Sequence, residues 1–173
     1  MKLHVEPIIV QDTREQAGKK NHILKAFEKH GIRYIRTKLY VGDWTLLHNQ
    51  TVCIDTKTLG LQEVYSNLVQ DHDRFRAECD KAMDVGIRLI VLVEEPDINT
   101  LDDVKTWVNP RLVEYEMKKK LGASVPKAAP ISSERLYGIM RTMSELHGVE
   151  WAFTDREHCG ETILRLLGVT IDA

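Results

Sequence analysis

The most constraining feature of this sequence is the run Ile87-Arg88-Leu89-Ile90-Val91-Leu92-Val93, almost continuously apolar and rich in branched side chains. In a strand, successive side chains point to opposite faces. A strand that is apolar at nearly every position must therefore be covered on both faces. This predicts a layered α/β structure with the run at its centre, closed by Glu94-Glu95-Pro96.

The rest of the chain repeats the same alternation. Pro7 to Gln11 reads as a buried first strand, and residues 20–30 carry Ile23, Leu24 and Phe27 at helical spacing. Arg33 to Leu39 is a second strand. Residues 44–47 and 52–57 form a predicted hairpin around His48-Asn49-Gln50. From Leu61 the apolar positions Leu61, Val64, Leu68, Phe75, Cys79, Ala82 and Met83 describe a helix that breaks or bends near Gln70-Asp71. A short helix is expected near 100–107, then a long basic loop or partly ordered insertion over about 109–131, which holds three prolines and no clear period. Ser133 opens a helix with Leu136, Met140, Met143 and Leu146 inward, and Val149 to Phe153 forms a last strand. Thr154-Asp155-Arg156-Glu157 has the form of a capping box for the final helix, ending at Gly168. Gly31, Gly86 and Gly148 each end a helix just before a strand. The expected fold is α/β, a mixed central β-sheet flanked by helices, in one domain spanning 1–173; 173 residues suit a single core.

Composition narrows the class further. With 43% hydrophobic and 29% charged residues the chain is expected to be globular. Cys53, Cys79 and Cys159 are widely spaced and form no Cys-x-x-Cys pair, which argues against a disulfide framework or a structural zinc site and for a reducing, cytoplasmic setting. No segment has the length of a signal peptide core or a membrane span. The net charge is −2, but its distribution is uneven. Residues 11–38 carry +5 and residues 105–127 carry +4, including Lys118, Lys119 and Lys120. Two basic segments on an acidic background predict an electropositive face if both map to one side.

The chemistry sits in Gly42-Asp43-Trp44-Thr45-Leu46-Leu47 and Val52-Cys53-Ile54-Asp55-Thr56-Lys57. Asp55 and Lys57 share one strand face, and Val52, Ile54 and Thr56 take the other, toward the core. A hairpin symmetric about Asn49 puts Asp43 opposite Asp55, with Cβ atoms about 4.5–5.5 Å apart. Two carboxylates this close repel unless a cation lies between them. A hard divalent ion, Mg²⁺ or Mn²⁺, accepts such oxygen ligands together with a substrate phosphate. It would polarise the phosphoryl oxygen and acidify a water, with Lys57 positioning that water or countering charge on the phosphate. Asp12, at the end of the first strand in Gln11-Asp12-Thr13-Arg14-Glu15-Gln16, is the expected third carboxylate. The bland alternative is a hairpin with solvated charges.

With these motifs in place the sequence resembles the XPF-type nuclease domain of the PD-(D/E)XK superfamily. The likeness rests on IIVQDTREQ, the Gly-Asp of VGDWTL, the IDTK strand and LQEVYSNLVQDHDRFRAE, in order, from about residue 7 to the last helix. It implies a restriction-endonuclease-like fold. Asp12, Arg14 and Glu15 match the first motif, and Gly42 with Asp43 the second. In the third motif, Glu-Arg-Lys with a trailing Asp, this chain has Asp55, Thr56, Lys57 and, at the trailing place, Leu61. The resemblance implies a catalytic set of Asp43, Asp55, Lys57 and Glu15, and metal ligation by Asp12, Asp43 and Asp55. DNA contacts are expected from Arg14, Arg74 and the basic Lys118–Lys120 segment. It also implies DNA as partner, and a homodimer or a partner subunit that places the substrate, since a tandem helix-hairpin-helix module has no counterpart here. Phe75 is expected in the core, and Trp107 packed rather than stacked on a base.

The leading expectation is a divalent-metal-dependent DNA endonuclease, selective for branched, flapped or forked duplexes as the family is; repair, recombination and a mobile element stay open as its setting. The alternative is a non-catalytic DNA-binding or scaffolding subunit whose altered Asp-Thr-Lys motif no longer turns over. A hydrolase of small phosphate compounds is disfavoured, because the sequence holds no Gly-rich phosphate loop.

Overall fold

The protein is described by a computed structural model that covers residues 6–14 and 18–171. Among these residues six strands form one mixed sheet in the order β2-β1-β3-β4-β5-β6. They are β1 (Ile8–Asp12), β2 (Arg33–Thr37), β3 (Trp44–Leu46), β4 (Asn49–Lys57), β5 (Arg88–Glu94) and β6 (Glu150–Thr154). The pairs β1–β2, β4–β5 and β5–β6 are parallel, while β3 runs antiparallel to both β1 and β4. The helices are α1 (Asn21–Lys29), α2 (Leu61–Tyr65), α3 (His72–Asp84), α4 (Pro110–Lys120), α5 (Ser133–His147) and α6 (Cys159–Leu166).

The apolar run behaves as its pattern demands. Leu89, Val91 and Val93 of β5 enter a core with Leu61, Phe75, Cys79, Leu136, Met140 and Met143 from α2, α3 and α5. Ile90 and Leu92 enter a second core on the opposite face, with Ile23 and Phe27 of α1 and Ile163 and Leu164 of α6. Trp44 belongs to this second core, fully buried and edge-on to Phe27 with centroids 5.4 Å apart. Such a pair contributes about 0.5–1.5 kcal/mol beyond its buried area, and it ties the start of β3 to α1.

Residues 109–131 differ from the expected basic loop, since Pro110–Lys120 are helical. Asn109 caps the helix by accepting from the Arg111 N–H at 3.0 Å, and Pro110 occupies the first turn, where its missing N–H costs nothing. The proline counted as a breaker is thus a helix starter. None of the α4 residues is buried, so no apolar period was there to be read. Two smaller corrections follow. Leu146 is 65% exposed rather than inward. The capping box at Thr154–Glu157 does not form; Asp155 accepts from the His158 N–H at 2.8 Å, and α6 begins only at Cys159. The expected break near Gln70-Asp71 is a π-helical turn over Ser66–Gln70, between α2 and α3. Phe75 is buried, and Trp107 packs against the α2–α3–α5 core.

Candidate active site

Strand register builds the site. Gln11 pairs with Trp44 across β1–β3, and Trp44 pairs with Ile54 across β3–β4. One residue further along, Asp12, Asp43 and Asp55 therefore fall in a row across three adjacent strands. The Asp12 N–H donates to the Asp43 carbonyl at 2.8 Å, and the Asp43 N–H donates to the Ile54 carbonyl at 2.8 Å. Trp44 pairs with Ile54 as symmetry about Asn49 predicted, and a register shift between Trp44 and Leu46 takes up the irregularity at the turn end. Gly42 adopts a φ of +69°, and a Cβ there would lie 3.1 Å from the Ile54 carbonyl oxygen. The backbone entering the row needs glycine for both reasons.

Each carboxylate of the row is buried and carries a cation from this chain. Asp12 Oδ2 accepts from Arg14 Nε at 2.6 Å, and its Oδ1 accepts from the Leu39 N–H at 2.9 Å. Asp43 Oδ2 accepts from Lys20 Nζ at 2.6 Å, from the Thr56 N–H at 2.7 Å and from Thr56 Oγ1 at 2.8 Å. Asp55 Oδ2 lies 2.8 Å from Lys57 Nζ. Burial pushes the Asp55 carboxyl up to about 7, with Asp43 and Glu78 adding to the rise and Lys57 opposing it. Lys57 is raised despite its own burial, chiefly by the Asp55 charge. Its ammonium lies 5.6 Å from the centre of the Phe75 ring, which backs the Asp55–Lys57 pair.

These residues line one cleft of about 800 Å³, together with Arg14, Lys19, Lys20, Arg74, Glu78 and Arg156. The sequence-predicted set divides clearly. Asp12, Asp43, Asp55, Lys57, Arg14 and Arg74 come together, whereas Lys118, Lys119 and Lys120 lie at the far end of α4 and are not on the cleft wall. Glu15 lies outside the described residues. Leu61, at the trailing-Asp position, is fully buried in the core and offers no oxygen.

Sequence reasoning missed several cleft residues. Glu78 reaches from α3 to accept from the Gly42 N–H at 3.3 Å. Arg74, Glu78 and Lys81 recur at helical spacing and all line the cleft, a polar stripe that could have been read from the sequence. Lys20 had no comparable signal. Asn67 lies on the π turn and lines the cleft, with its Oδ1 buried and unpartnered; such turns recur at functional sites.

A second group of ligand-type side chains, His22, Glu94 and Cys159, has its facing atoms within 4.8 Å of one another. Glu94 is satisfied there by His22 Nε2 and by Arg156 at 3.3 Å. Burial, then the Glu94 charge, pushes the Cys159 thiol far up. His22 Nδ1 is buried without a hydrogen-bond partner among the described residues.

The sheet order and the helices on both faces give a mixed α/β fold of the kind found in XPF nuclease structures. No family model matches the sequence, and no curated protein does. Among solved structures the chain is similar to XPF from Aeropyrum pernix, at 18% identity and a TM-score of 0.60 over 93% of this chain and 63% of that one. It is likewise similar to XPF from Aeropyrum pernix in complex with DNA, at 18% identity and a TM-score of 0.58 over 94% and 64%. The chain thus spans a little under two thirds of the length of the structures it matches. At this identity the likeness is one of fold. Among the described residues no helix is long and apolar enough to cross a membrane.

Proposed function

We propose that this chain is a divalent-metal-dependent DNA endonuclease that hydrolyses phosphodiester bonds in branched, flapped or forked duplexes. The observation that carries this reading is the convergence of Asp12, Asp43 and Asp55, far apart in sequence, on one cleft beside Lys57. The donor set fits Mg²⁺ or Mn²⁺, being all carboxylate oxygen, and burial, with the Asp43 and Glu78 charges adding to it, holds Asp55 well above its ordinary range. Asp43 and Asp55 are the ligands, with Asp12 at the end of the row. When bound, the ion would polarise the phosphoryl group and acidify a water.

The chain's own groups do the rest. Lys57, fixed against Asp55, presents its ammonium where charge builds on the phosphate as the water oxygen bonds to phosphorus and the leaving sugar oxygen departs. Arg14, Lys19, Arg74 and Arg156 give the cleft cationic walls suited to phosphates. Lys118–Lys120 stand away from the reacting centre and serve flanking phosphates. A dimer or partner subunit would complete substrate placement.

A second reading, a DNA-binding scaffold that does not cut, draws on one observation: each carboxylate of the row is already balanced by Arg14, Lys20 or Lys57. Incubation with nicked, flapped and forked DNA in Mg²⁺ or Mn²⁺ separates the two. Cleavage that Asp55→Ala abolishes supports the nuclease; cleavage unchanged by Asp55→Ala refutes the site. Binding without cleavage in either metal supports the scaffold.

A further inference from the structure

A lysine is almost never buried unless it is paired, and Lys20 is 6% exposed. It sits immediately before α1, and its ammonium reaches across the fold to Asp43 Oδ2 at 2.6 Å. The same oxygen takes both donors of Thr56. Thr56 faces away from Asp55 and Lys57, toward the α1 side of β4, where Trp44 Nε1 donates to its hydroxyl at 3.3 Å. Here the strand carries no charge at 56, yet a cation stands at the oxygen Thr56 touches, delivered by a different element.

We infer that Lys20 is the resident cation of Asp43: from the start of α1 it balances that carboxylate, at the oxygen Thr56 also holds, and sets how tightly the divalent ion is held. It is a positioning residue, acting through Asp43. The inference rests on the metal-dependent reading of the cleft and adds a residue that no motif supplies. Thr56 already holds Asp43 Oδ2 with two hydrogen bonds, so loss of the Lys20 charge leaves the carboxylate in place. What changes is the electrostatics. One positive charge fewer beside a ligand oxygen makes the cleft more attractive to a divalent cation and less attractive to a phosphate backbone.

Two effects of opposite sign follow, and general structural damage would not produce them together. Lys20→Met keeps the aliphatic stem and removes the charge. It is expected to bind Mn²⁺ roughly tenfold more tightly by calorimetry, and to bind forked DNA in EDTA several-fold more weakly by anisotropy. Lys20→Arg should stay near wild type in both. Lys20→Ala combined with Thr56→Arg, which returns a cation from β4, should move both constants back toward wild type. Neither readout requires turnover. Unchanged or weaker Mn²⁺ binding by Lys20→Met, or a double variant no closer to wild type than Lys20→Ala, overturns the inference and leaves the nuclease reading standing. Wild-type protein that binds no Mn²⁺ at millimolar concentration overturns both. Tighter Mn²⁺ binding by Lys20→Met in a protein that never cuts sustains the inference and removes only the nuclease.

Discussion

The cleft and α4 are both densely charged, and they treat charge in opposite ways. In the cleft, Asp12, Asp43, Asp55, Lys20 and Lys57 are all less than a tenth exposed, and Asp43 takes its cation from a distant element. Along α4 every side chain is partly or wholly exposed, and its ion pair, Lys118 with Glu114, joins neighbouring turns of the same helix. Buried charges need partners with defined geometry, because solvent no longer screens them. Exposed charges act at a distance and are screened by salt. The cleft is therefore built to place atoms, whereas α4 holds its charges out to solvent. Arg111 links the two regions, since it donates to Ser66 on the π turn at 3.1 Å and lies over the Tyr65 ring at 5.1 Å.

Changes on the two sides should differ in kind as well as in size. The largest effect is expected from Gly42→Ala, which forces a side chain into a left-handed backbone and against the Ile54 carbonyl. A cost of about 2 kcal/mol in stability and roughly a hundredfold loss of cleavage are expected, because Asp43 moves with its backbone. Denaturant melts and cleavage rates check this; a variant with wild-type stability and rate would break the claim that the cleft depends on close placement.

Next in size is the pH dependence of the cleft. Asp55 is pushed from an ordinary 3.8 to about 7 by burial, so in that window the folded chain holds a proton that the unfolded chain has released. Its contribution to stability falls as pH rises from about 4 to 7. Metal-free wild type should lose melting temperature relative to Asp55→Asn between pH 5 and pH 8. The divalent ion proposed for the cleft would displace that proton on binding, so its apparent affinity should rise by up to tenfold per pH unit below 7 and level off above it. A flat profile would mean that Asp55 is neither buried nor a ligand.

A smaller effect is expected on the other side of the comparison. Replacing Lys118, Lys119 and Lys120 together by Ala should weaken DNA binding about tenfold or less and reduce its salt slope, while leaving the rate at saturating DNA unchanged. A changed saturated rate would show that α4 takes part in the chemistry. The smallest effect belongs to Met117→Ser, at a position 59% exposed; a stability change within about 0.5 kcal/mol is expected.

The two regions were also unequally legible in the sequence. The continuous apolar run of β5 forced a strand covered on both faces, and helix-ending glycines at Gly31, Gly86 and Gly148, all with positive φ, punctuated the rest. The row Asp12–Asp43–Asp55 was readable because strand periodicity and hairpin symmetry are local rules. The helix α4 was not, because it buries no side chain and so leaves no hydrophobic period. Lys20 was hidden for another reason. Its role comes from where α1 begins relative to β3 and β4, a tertiary fact that no local pattern encodes. Glu78 lay between these cases, at helical spacing from Arg74 but meaningful only once α3 is known to pass beside Gly42.

The most direct test of the central claim is anomalous diffraction from crystals soaked in Mn²⁺. The account predicts an anomalous peak in the cleft, ligated by carboxylate oxygens of Asp43 and Asp55 with Lys57 alongside. A cleft that stays without a peak at saturating Mn²⁺, or an ion bound only elsewhere, would contradict it.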